Sequence, residues 1–153
     1  MSFLQHYATY RAKLISDVRE SLLNETAQAV SDVMAQKLMD NVYSYQASPR
    51  AMESRRYDEG GLLDPDNVSA DVSGDKDLTL TVSNNAPFQD ASLNGSGHSL
   101  TEVVQEGLSG YRQPGPRPFM ADTESECISS GRALKAFNEG MRKRGQDIKK
   151  IRY

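Results

Sequence analysis

A chain of 153 residues, 37 % hydrophobic and without tryptophan, bounds a single domain with a modest core of aliphatic, Met and Tyr side chains. The lone cysteine, Cys127, excludes an internal disulfide framework and an all-cysteine zinc site. Net charge is only −3, yet residues 61–126 carry 3 basic and 11 acidic side chains and residues 127–153 carry 8 basic and 2 acidic. That asymmetry suits self-association or a polyanion partner.

Residues 1–48 hold neither glycine nor proline, and every proline lies between Pro49 and Pro118. Proline cannot donate to a helix or sheet ladder and glycine loosens both, so the layout reads helix, turn-rich β middle, helix. Over 1–42, Leu4, Tyr7, Arg11, Leu14, Val18 and Leu22 step by three or four, and Ala27, Val30, Met34, Leu38 and Val42 continue. This is one stripe of a 3.6-residue helix. It falters at Asn24-Glu25-Thr26, which admits one bent helix or two consecutive ones and favours two, with Asn24 or Thr26 as the new cap.

Residues 43–67 read as a loop or arm containing Arg55, Arg56 and Tyr57. Over 68–85, Val68, Ala70 and Val72 alternate with polar residues, as do Leu78, Leu80 and Val82, around Ser73-Gly74-Asp75-Lys76-Asp77. Such alternation about a Gly/Asp turn predicts a β-hairpin with one apolar face, which needs a helix to cover it. Residues 86–118 form a loop with a short helix at 99–107, where Ser99 and Glu102 make a capping box and Gly107 is the stop. A last helix at 119–145 carries Met120, Cys127, Leu134 and Met141 at intervals of seven. Gly131 is a weak point within it, and residues 146–153 follow as a basic tail. The expected fold is α+β, with the C-terminal helix packed on the sheet.

No Walker loop, dinucleotide glycine fingerprint, HExxH, CxxC or GxSxG occurs. His98, near Asp90 and Glu102, supplies too few ligands for a metal site. Ser99 is better explained as a cap than as a nucleophile, and Cys127 as a buried thiol on the apolar stripe. The acids from Asp64 to Asp77 lack EF-hand spacing. The expectation is a protein without enzymatic activity, cofactor, bound metal or small-molecule substrate. No apolar run nears membrane-spanning length and residues 1–20 hold no apolar leader, so a soluble, reducing compartment is expected.

Val42-Tyr43, the Gly61-Leu62-Leu63-Asp64 loop end, the hairpin, Asn85-Ala86-Pro87, Leu100-Val104-Glu106-Gly107 and Arg117-Pro118-Phe119-Met120 follow one another in a distinctive order. In that order, over roughly 27–145, the chain resembles a family of small neck or tail-completion proteins of tailed bacteriophages, also described as minor tail components. The resemblance implies an α+β fold, rings of subunits between the DNA-filled head and the tail, and no catalysis. It implies a virion location after synthesis in the host cytoplasm, with other neck and tail proteins as partners and packaged DNA as a further, dispensable contact.

Arg55, Arg56, Tyr57, Arg117, Phe119, Met120, Arg142, Lys143 and Arg144 are the candidate interface residues. Opposite charge on the acidic middle and basic C-terminal segments would orient one copy on the next. The rival expectation is a small nucleic-acid-binding regulator that uses the basic C-terminal helix on phosphates.

Overall fold

A computed structural model describes residues 2–44, 60–87, 99–107 and 115–146. The chain is α+β, as the patterning predicts. It opens with a capping box in which Ser2 Oγ accepts the Gln5 amide and Gln5 Oε1 accepts the Ser2 amide. Helix α1 (Phe3–Ser21) then runs through a π-turn (Leu22–Thr26) into α2 (Ala27–Leu38), which ends in a second π-turn (Met39–Tyr43).

The expected pair of helices is therefore one continuous run. Ser21, Thr26 and Ala27 all keep right-handed helical backbone, and Thr26 Oγ1 donates back to the Ser21 carbonyl at 3.0 Å instead of capping a new start. A π-turn inserts one extra residue and turns the helix face. The inward row accordingly steps Asp17, Ser21, Thr26 across it and continues to Met34, Leu38 and Val42. Along the apolar stripe Leu4 and Tyr7 are exposed and Leu14, Val18 and Leu22 are half-buried, while the fully buried positions of α1 are the polar Asp17 and Ser21.

Asp64 caps a 3-10 turn (Pro65–Asn67) that leads into β1 (Val68–Ser73), antiparallel to β2 (Thr79–Asn84). The pairs Val68–Asn84, Ala70–Val82 and Val72–Leu80 share one face, and Val68 and Val82 pack against the α2 core. Helix α3 (Leu100–Glu106) carries the expected Ser99–Glu102 box and ends at Gly107.

The expected helix over 119–145 is two helices, α4 (Phe119–Ser129) and α5 (Arg132–Lys143). Gly131 sits at φ +66°, the left-handed region that ends a helix and that favours glycine. The seven-residue spacing thus crosses a break: Cys127 and Met141 are buried, but Leu134 stays 52 % exposed. Both helices pack chiefly on the N-terminal helical run, α4 on α2 and α5 on the first π-turn, rather than on the sheet.

Candidate functional site

The segments that carry the family resemblance meet in one place. Leu62, Ala86, Val104 and Phe119 come from four separate stretches and enclose Met34, Leu38, Val42 and Tyr43 at the end of α2. Phe119 is wholly buried there and Met120 packs partly buried beside it. The Arg117 amide donates to the Val104 carbonyl at 3.1 Å, and its Nη1 donates to the Val42 carbonyl at 3.3 Å. A guanidinium at those last carbonyls complements the helix dipole. Arg117-Pro118-Phe119-Met120 is thus a clasp inside the subunit, and Phe119 has no surface left for a partner.

A polar hub lies under the same core. Buried Asn84 donates from Nδ2 to the Leu62 carbonyl at 2.6 Å and accepts the Ala86 amide on Oδ1 at 3.1 Å. Thr101 Oγ1 donates to the Asn84 carbonyl at 2.7 Å, and the Leu100 amide to the Ala86 carbonyl at 3.0 Å. In the sequence Asn84 reads as the close of the second strand, without its buried partners. An asparagine ending a strand is a poor β-former, and that was the available signal.

Arg142, Lys143 and Arg144 close the other end. Arg144 is only 15 % exposed at its side chain, and its Nη1 lies 2.8 Å from Glu25 and its Nε 3.3 Å from Glu20. Lys143 reaches Glu25 at 3.4 Å, while Arg142 is exposed. Burial pushes the Glu25 carboxyl up, but the hydrogen bonds and charge of Arg144, with Lys143, outweigh it and hold the group below the usual range. Asp17 is also held low, first by its hydrogen bond from Lys13 and then by that from Gln146, at 2.6 and 2.7 Å. The basic cluster thus meets acids of the N-terminal helical run rather than the acidic middle of the chain.

Two further contacts were not legible in the sequence. Arg19 on α1 donates from Nη1 and Nη2 to the Val72 and Gly74 carbonyls at 2.9 and 2.8 Å, clamping the hairpin tip. Gly140 lies where α5 meets the N-terminal helix, so close that a β-carbon would collide with Ser21 Oγ and the Glu25 carboxylate.

Among the described residues the start of α1 carries a cluster of exposed aromatic side chains. Phe3, Tyr7 and Tyr10 are 83, 58 and 57 % exposed, with Leu4 beside them. Between α2 and α5 lies an open cleft whose lining includes Ala29, Asp32, Ala136 and Glu139. Arg55, Arg56, Tyr57, His98 and the tail from residue 147 lie outside the described residues.

Burial pushes the Cys127 thiol up, away from the reactive thiolate. Among the described residues no three His, Cys, Asp or Glu side chains converge as metal ligands, and no helix is long and apolar enough to cross a membrane.

Clasp, clamp and ion pairs define a small α+β scaffold, stapled end to end, whose distinctive sequence segments build structure. Its class is that of phage-associated proteins. The YomN family model, a Bacillus phage-type family, matches residues 7–143, and the chain belongs to that family. No curated protein and no solved structure matches it.

Proposed function

We propose that this protein is a structural virion component of a tailed phage: a ring-forming subunit at the neck that completes the tail or joins it to the head. The observation that carries this reading is the convergence of Leu62, Ala86, Val104 and Phe119 on the end of α2. The segments behind the resemblance to neck and tail-completion proteins make a single structural unit, and the matching family is of phage type. Its mechanism is assembly, with identical copies docking side by side and with other neck and tail proteins above and below.

Arg144 and Lys143 are engaged by Glu20 and Glu25, which leaves the C-terminal helix less free charge for phosphates. That weighs against the nucleic-acid-binding alternative. Deleting the coding sequence from a phage that carries it should leave DNA-filled heads without joined tails under negative-stain electron microscopy. A tagged copy should sit at the head–tail junction of intact particles. Complete, infectious particles from the deletion, with no tag in purified virions, would overturn it.

A further inference from the structure

We propose that the exposed start of α1 in one subunit docks into the α2–α5 cleft of a second copy of this chain. This deepens the ring reading above and rests on it for its setting.

Phe3, Tyr7, Tyr10 and Leu14 are spaced i, i+4, i+7, i+11 on α1, the pattern of a helix that lays anchors into a groove. The first three are exposed and Leu14 is half-buried. The segment is built to be a helix, since the Ser2–Gln5 capping box closes its solvent end. It projects beyond the packed part of the molecule, every residue from Ser2 to Lys13 being exposed.

Charge selects the occupant. Residues 2–16 contain Arg11 and Lys13 and no acid; Lys13 is paired with Asp17, so Arg11 is the charge that α1 offers a partner. Of the charged residues that line the cleft, Lys143 and Glu25 pair with each other, while Asp32 and Glu139 have no ion-pair partner among the described residues; Leu23, Ala29 and Ala136 supply its apolar lining. Small residues let a third helix approach closely. Eleven exposed residues, Phe3 to Lys13, span about 16 Å, enough to lie along the wall from Leu23 to Asp32 that the first π-turn and the start of α2 make.

The same molecule cannot satisfy itself. α1 and α2 are one unbroken run, so the start of α1 cannot fold back onto a cleft further along its own helix. The contact therefore joins two different faces of two copies, and each copy offers both. Repetition of such a heterologous contact closes a ring or extends a filament.

The test is disulfide trapping. In full-length Cys127→Ala protein, Tyr7→Cys and Gln28→Cys are introduced together and singly, then oxidised. Either single variant should stop at dimers, while the paired variant should give a ladder of trimers and larger species in which peptide mapping finds position 7 bonded to position 28 rather than 7 to 7 or 28 to 28. In protein without added cysteines, Arg11→Glu should weaken self-association about fivefold by sedimentation, and adding Asp32→Lys should restore it. No species beyond the single-cysteine controls, or self-association indifferent to Arg11→Glu, would overturn the docking. So would an α1 that captures only a different protein or nucleic acid. Virion labelling is scored separately. A ladder from a protein that virions lack removes the neck assignment alone, and a labelled neck without a ladder removes the α1 contact alone.

Discussion

The Arg144 guanidinium stands 2.8 Å from the Glu25 carboxylate and joins the last described turn of the chain to its first long helix. Glu20 flanks the same guanidinium at 3.3 Å. Because the Arg144 side chain is mostly shielded from water, the pair is screened less than a surface bridge.

Arg144→Ala should cost about 2 kcal/mol in urea unfolding, since it leaves the Glu25 carboxylate at a packed helix contact with only the longer bond from Lys143. Arg144→Lys should recover only part, because an ammonium cannot span both Glu20 and Glu25 as the planar guanidinium does.

Glu25 and Asp17 both titrate below their ordinary values in the folded protein. A depressed carboxyl stabilises the fold above its unfolded pKa and loses that contribution as pH falls through the folded value. Thermal midpoints should therefore hold at neutral pH and drop below about pH 4, with Glu25→Gln flattening part of the decline. An equally steep decline in Glu25→Gln would refute the assignment.

Gly140→Ala should destabilise by about 1–3 kcal/mol through overpacking against Ser21 and Glu25. Helix propensity alone predicts the reverse sign, a gain of about 1 kcal/mol, so a calorimetric melt separates the two.

Arg19→Ala removes both donors from the hairpin tip. Global stability should fall by about 1–3 kcal/mol, and amide exchange should accelerate in β1 and β2 more than in α2. Uniform acceleration would mean that the clamp does not act locally.

Asn84→Leu should cost about 3 kcal/mol, leaving the Leu62 carbonyl and the Ala86 amide buried without partners. Asn84→Asp restores the acceptor but not the donor. It should be less stable than wild type at neutral pH and approach it on acidification, when the carboxyl regains a proton to donate. Urea unfolding at the two pH values measures both effects.

Local chemistry was legible wherever the nearest neighbours in sequence decide it. The alternation about Gly74 specifies the hairpin and the face that Val72, Leu80 and Val82 share. Ser99 and Glu102 specify a helix start because the cap is made within four residues. The candidate interface was harder. Arg117, Phe119 and Arg144 stood out as residue types and positions, but a side chain's type does not say whether its partner is in its own subunit. Arg19 carried no signal, because its acceptors are the carbonyls of Val72 and Gly74, far along the chain.

Periodicity and turn residues determined by themselves that this chain is helix, hairpin and helix, since those preferences are settled within one or two turns of backbone. Tertiary structure alone decided that the N-terminal helices fuse through a π-turn, that Gly131 ends one helix, and that Arg144 faces Glu25. Arg144 and Glu25 are distant in sequence and α5 packs on the π-turn from far along the chain, while at Gly131 the left-handed backbone breaks the helix. One inserted residue at Leu22–Thr26 carries the inward row from Asp17 and Ser21 to Thr26, and the packing of α5 on that turn settles which face is buried, a choice that local periodicity cannot make.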